Sequence, residues 1–238
     1  MSDSVIRHDN GTISVKIVIP WVQINESYNK HVSQALKKTE VPGFRKGRAP
    51  KNVAGEKLDK SHLMSLALSE LLPPVYSQLI KANNLKPILY PQIQIDKGVS
   101  GQDFEFTATT CEAPVVTLPD NFRDEISKLK PSDTGPKFDP IARYLHQNCR
   151  VNVPDLLINE EVNHRLSLLV ENLTKLGLDI PRYLQTKKLS LQDLKDLTFK
   201  ESRADLEMEL ILTEVKLKEK LPDKTKTVDY LLHLLSNG

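Results

Sequence analysis

The chain has 238 residues, 39% hydrophobic and 27% charged, enough for one or two domains with cores that need no disulfide or metal staple. These proportions exclude a largely disordered chain and a membrane protein. The balance of 33 Lys and Arg against 31 Asp and Glu, a net +2, excludes a polyanion binder acting through overall charge, so any basic site must be local.

Aromatic residues make up only 5%, which argues against a base-stacking nucleic-acid platform. Cys111 and Cys149 stand far apart without a CxxC or Cys/His cluster, and are read as two free thiols in a reducing compartment. The first ten residues lack the apolar core of a signal peptide, and no apolar run approaches the ~18 residues of a membrane span. A soluble, cytoplasmic protein is expected.

In chain order, Asn10-Gly11 is a two-residue hairpin signal, joining a strand over residues 4–8 to a β-branched strand beginning at Ile13. Asn25 is read as the N-cap of a helix running to about Lys38, on the helical spacing of Tyr28, Val32, Ala35 and Leu36. Pro42, Gly43, Gly47 and Pro50 then break regular structure. A short helix over residues 51–57 and a longer one over 61–82 follow, the latter kinked or split by Pro73 and Pro74. Two further strands, near residues 88–95 and 103–111, complete an α+β module.

From Pro119 to Pro136 the composition turns to Pro, Asp, Ser, Lys and Gly, which reads as an extended linker. Beyond it the pattern is helical. Ile158, Val162, Leu166, Leu169, Leu173 and Leu176 form one apolar stripe ended by Gly177. Ser190 is expected to cap a short helix, and Thr198 with Glu201 to box the start of another. That last helix carries a wide apolar stripe through Leu206, Met208, Leu210, Ile211, Leu212, Val215 and Leu217, which either packs on two sides or leaves apolar surface exposed. The apolar tail from Tyr230 to Leu235 is expected to dock on the body.

The loop between the first two helices stands apart. From Lys37 to Lys51 it holds six cations, Lys37, Lys38, Arg45, Lys46, Arg48 and Lys51, against the single Glu40, so a local +5 sits in a chain whose total is +2. Two glycines permit tight backbone turns and two prolines limit the flanks. An aromatic beside arginine is what a small docking site needs, since such anchors supply most of an interface's energy. The opposite reading tucks Phe44 into its own domain and leaves the cations solvated.

The stretch Gly43-Phe44-Arg45-Lys46-Gly47-Arg48-Ala49-Pro50 carries in full the Gly-Phe-Arg-x-Gly-x-x-Pro signature of the trigger factor family, ribosome-associated chaperones of bacteria. The element order over residues 1–118 resembles that family's ribosome-binding domain. Val153-Pro154-Asp155 to Val162, with the helices after it, is similar to its C-terminal substrate-binding domain. The resemblance implies an α+β N-terminal domain over 1–118, a linker over 119–137 where the family's FKBP-like prolyl isomerase domain would stand, and an all-α domain over 138–238.

It further implies an ATP-independent chaperone without cofactor, metal or catalytic residues. Phe44, Arg45 and Lys46 would dock on the large-subunit protein at the tunnel exit of the ribosome, with Gly43, Gly47 and Pro50 shaping the tip. Leu206, Leu210, Ile211 and Val215 are the candidates to hold nascent, unfolded polypeptides. Self-association is left open. Seventeen residues cannot fold into a catalytic domain, so no prolyl isomerase activity is expected. Two other functions remain: a holdase or assembly factor that never meets the ribosome, and an RNA-binding protein using the basic loop. No HxxxH, HExxH, P-loop or nucleophile elbow supports an enzyme.

Overall fold

The computed structural model describes residues 5–40, 42, 44, 50–131 and 135–236, with the side chains of 51 and 52 outside that description. Two compact units emerge, one made of Met1–His8 and Ile13–Glu112, the other of Asp9–Thr12 and Ala113–Gly238.

The first unit is one sheet faced by helices. Strands β1 (Val5–Arg7) and β2 (Thr12–Ile19) form the expected hairpin, with Gly11 at φ +79 in the turn, and β4 (Phe104–Cys111) and β3 (Gln92–Lys97) complete the order β1-β2-β4-β3. Alternation puts Ile13, Val15, Ile17 and Ile19 of β2, and Phe104, Phe106 and Ala108 of β4, on one buried face. Helices α1 (Trp21–Lys38) and α3 (Lys60–Ala82) cover that face with Ile24, Leu68, Leu72 and Tyr76. Each fully buried Ile or Phe here contributes roughly 1.5–3 kcal/mol. Between these two helices lies α2 (Lys51–Glu56), close to its expected bounds.

Helix α1 starts four residues before the expected cap at Asn25. Pro20 takes the N-cap position, and the Trp21 backbone N–H donates to the Asp103 carboxylate 2.9 Å away, a partner from 82 residues further along the chain. Helix α3 runs through Pro73 and Pro74 as one element, so the expected alternative of a split does not occur. Its inner side chains on both sides of the prolines, Leu68 and Leu71 before and Tyr76 and Leu79 after, share the sheet core, and this packing outweighs the lost backbone bonds. Glu70 ties α3 to α1 by accepting from Ser27, Lys30 and His31.

The second unit is helical apart from a two-stranded ladder of β5 (Val116–Thr117) and β6 (Arg150–Val151). The expected extended linker is not extended throughout: it carries helix α4 (Phe122–Ser127), whose Phe122 and Ile126 are fully buried. Arg123 pairs through both nitrogens with Glu219 at 2.7–2.9 Å, and the Tyr230 hydroxyl donates to the same carboxylate. Around Phe122 gather α5 (Asp139–Asn148), α8 (Leu191–Lys218) and α9 (Lys224–Ser236), the docked tail, through Ile141, Leu145, Leu212, Leu231 and Leu235.

A second cluster in this unit joins α6 (Asp155–Lys175) to the other face of α8, through Val153, Ile158, Val162, Phe199, Leu206 and Leu210. The breadth of the α8 stripe is thereby explained, because one helix serves two cores. The two helices expected across residues 190–217 are this single helix. Ser190 and Asp193 form its capping box, whereas the Thr198 hydroxyl is buried and bonds back to the Leu194 carbonyl at 2.7 Å. A short helix α7 (Ile180–Lys187) links α6 to α8 after Gly177, whose φ of +69 ends α6 as expected.

Candidate functional site

Two surfaces of different character carry the residues singled out in the sequence. The first is the tip between α1 and α2. Helix α1 ends at Thr39, whose hydroxyl donates to the Ala35 carbonyl at 2.8 Å, and its last turn presents Lys37 and Lys38 to solvent, where the helix dipole favours cations. Pro42 is exposed in a turn. Phe44 is 49% exposed, so the reading that tucks it into its own domain does not hold. Exposed Pro50, at φ −54, is the N-cap of α2 and sets where the loop ends. Gly43, Arg45, Lys46 and Gly47, the other expected tip residues, lie outside the described residues, as does Arg48.

The second surface belongs to the helical unit. The sequence placed Leu206, Leu210, Ile211 and Val215 there, and the structure separates them. Ile211 and Val215 are buried in the core around Phe122, and packing there removes them from any surface role in this conformation. Leu206 and Leu210 are half-buried against Ile158 and Val162. The exposed apolar residues are others: Val115 just before β5, Leu168 and Val170 on α6, Leu176 at its end (75% exposed), Leu191 and Leu197 on the first turns of α8, and Leu217 of the expected stripe near the end of that helix. Half-buried Leu166 and Leu169 lie on α6, Phe199 on α8, and Tyr183 and Leu184 on the intervening α7. Of the exposed set only Leu176 belongs to the α6 stripe; the signal for Leu168 and Val170 was their place off that stripe.

A cleft of about 490 Å³ lined by Val115, His146, Arg150 and Ile211 contains Glu207. This carboxylate accepts from Arg203 at 2.9 Å and sits 3.3 Å from the His146 ring. The Cys149 thiol on its wall is buried and pushed up to about 11 by desolvation, and burial also raises that of Cys111. Neither is poised as a nucleophile. Among the described residues no group of three His, Cys, Asp or Glu side chains is placed to hold a metal ion, and no helix is long and apolar enough to cross a membrane.

Comparison with known proteins gives concordant matches for both units. Residues 1–134 match the family described as "Bacterial trigger factor protein (TF)", and residues 137–233 the family described as "Bacterial trigger factor protein (TF) C-terminus". Trigger factor of Clostridium botulinum strain Hall is 30% identical over 129 residues, 54% of this chain and 30% of that protein. Trigger factor of Mycobacterium sp. strain KMS is 24% identical over 120 residues, 50% of this chain and 25% of that protein. The matched stretch is thus under a third of either relative's length. A solved structure described as "Promiscuous Substrate Recognition in Folding and Assembly Activities of the Trigger Factor Chaperone" aligns with a TM-score of 0.37 and 22% identity, over 71% of this chain and 35% of that one.

Proposed function

The chain belongs to the trigger factor family, and on that premise we propose that it is a cytoplasmic, ATP-independent chaperone that docks at the ribosomal exit tunnel and shields apolar segments of emerging polypeptides. The observation that carries this reading is Phe44, half-exposed at the tip of the loop that concentrates the chain's positive charge. Phe44, Arg45 and Lys46 make the contact with the large-subunit protein beside the tunnel, and Gly43, Gly47 and Pro50 set the shape of the tip. An aromatic flanked by cations suits this task, the ring supplying contact energy and the charges speeding encounter.

Clients are held by the apolar surface of α6 and the start of α8, with Leu168, Leu176, Leu191 and Leu197 in contact and Leu206 and Leu210 at its base. Such a surface needs no nucleotide, because burial of apolar area drives capture and dilution or folding releases the client. No prolyl isomerase activity belongs to this reading, which is supported by the two family matches leaving only residues 135 and 136 between them. The sequence there holds no room for a catalytic domain.

Sedimentation with purified ribosomes tests the assignment. Wild type pellets with ribosomes, less so as salt rises, whereas the F44A/R45A/K46A triple variant stays in the supernatant while still suppressing aggregation of an unfolded client. Unchanged pelleting of the triple variant overturns the tip assignment. Binding of naked RNA with a steep salt slope would favour the RNA-binding alternative.

A further inference from the structure

The end of the helical unit where α6 gives way to α7 and α8 begins differs in charge from the rest of that unit. Residues 175–200 hold six Lys and Arg against three Asp, whereas the other residues of 113–238 hold 13 against 17. The three carboxylates are turned to local tasks. Asp179 caps α7 by accepting from the Arg182 backbone N–H, Asp193 completes the capping box of α8 with Ser190, and Asp196 accepts from the Gln192 amide at 2.8 Å. Lys175 pairs with Glu171. Among the described residues the other five cations, Arg182, Lys187, Lys188, Lys195 and Lys200, are exposed and have no carboxylate within ion-pair distance. Helix ends account for only part of this charge. Lys187 and Lys188, at φ +55 the residue that closes α7, complement the dipole there. Lys195 stands one turn into α8, where the dipole favours acids, and shares a side of the helix with exposed Leu191 at i, i+4. Because α6 and α8 pack together and are joined through α7 alone, exposed Leu176 comes to this same end.

We propose that this end ranks clients by charge, holding best the unfolded segments in which Asp or Glu flanks apolar residues. The inference rests on the client-holding reading above and names the class of segment that it favours. Leu176 and Leu191 take the apolar side chains, while Lys187, Lys188 and Lys195 take the flanking carboxylates. Lysine suits clients of varied sequence, because a point charge on a flexible stem follows a carboxylate wherever it falls and has no fork geometry to satisfy. Each such exposed pair is weak and screened by salt. Charge therefore orders the segments, and apolar contact decides whether they bind at all. A nucleic acid matches this end less well. It brings no apolar side chains to the leucines, and the two rings here, Tyr183 and Phe199, are half-buried, whereas bases need open rings to stack on.

The test uses the full chain and three fluorescein-labelled unfolded peptides that share one leucine-rich core and differ only in flanks of Glu, Gln or Lys. By fluorescence anisotropy at low salt, the Glu peptide is expected to bind about tenfold more tightly than the Lys peptide, as three weak pairs allow. High salt closes that gap and leaves the Gln peptide where it was. The K187E/K188E/K195E variant inverts the order. The K130E/K137E/R143E variant, an equal change of charge at exposed sites elsewhere on the unit, preserves it. Equal affinity of the wild type for all three peptides overturns the ranking and leaves the apolar reading of the surface standing. Binding of none of them removes that reading and the ranking with it. Loss of the order in K130E/K137E/R143E overturns the assignment to this end, since net charge would then suffice. Phosphatidylserine vesicles or single-stranded RNA that bind the wild type but not K187E/K188E/K195E, with no ranking of the peptides, would assign the cations to a polyanion instead.

Discussion

The two units use charge and apolar surface in opposite ways. Residues 1–112 hold 14 Lys and Arg against 11 Asp and Glu, with a +5 loop inside that sum, whereas residues 113–238 hold 19 against 20. The first unit closes most of its apolar face under two helices and displays one aromatic among cations. The second stretches α8 between two cores and leaves leucines of α6 and α8 in solvent. In the proposed function, attachment is electrostatic and local while holding is apolar and diffuse, so a change in salt, pH or one side chain should move one without the other.

The strongest way to break that separation is to collapse one unit. Phe122→Ala removes the ring at the centre of the second unit's core and should cost about 3–5 kcal/mol there. Hydrogen exchange on the intact chain is expected to lose protection in α4, α8 and α9 while β2 and β4 keep theirs and ribosome pelleting persists. Loss of protection throughout would mean that the units fold as one.

Next in size is the tip. Phe44→Ala alone should weaken ribosome binding by about 2 kcal/mol, near thirtyfold, as for a central aromatic anchor, with aggregation suppression unchanged. On the other unit, Leu176→Glu with Leu197→Glu should lower client capture by about tenfold or more, at about 1 kcal/mol per side chain, and leave pelleting intact. Raised salt should weaken pelleting but not capture.

The smallest effect sharpens the electrostatics of the first unit. Glu105 accepts from Lys16 at 2.8 Å and Lys97 at 2.7 Å, and these bonds pull its carboxyl to about 2. A depressed carboxyl stabilises the fold above its ordinary value of 4.5 and loses that contribution as the pH falls from there toward 2. Glu105→Gln should therefore flatten the acid limb of thermal stability in that window. An unchanged limb would show that the pair contributes nothing.

Much of this could be read from the residues. The β1–β2 hairpin, α2 and the end of α6 at Gly177 follow from local chemistry, and the tip announces itself by charge and a specific spacing. What escaped depends on distant partners. The start of α1 is set by Asp103, a residue no local window contains. Helix α4 hid in a polar stretch whose i, i+4 pair Phe122 and Ile126 only becomes a signal when α8 and α9 are there to receive it. Ile211 and Val215 look like Leu206 and Leu210 in a periodicity, and only the presence of two cores on one helix decides which of the four are sealed.

The paired prolines of α3 give that helix a mechanical consequence. Pro73 and Pro74 have no N–H to offer the carbonyls of Ser69 and Glu70, so two successive rungs are missing midway along a 23-residue strut. Load entering through a docked tip would concentrate its bending at this level. The Glu70 tie to Ser27, Lys30 and His31 stands at the same level and would pass the strain across to α1, so the weakest segment of the strut is also the one that is braced.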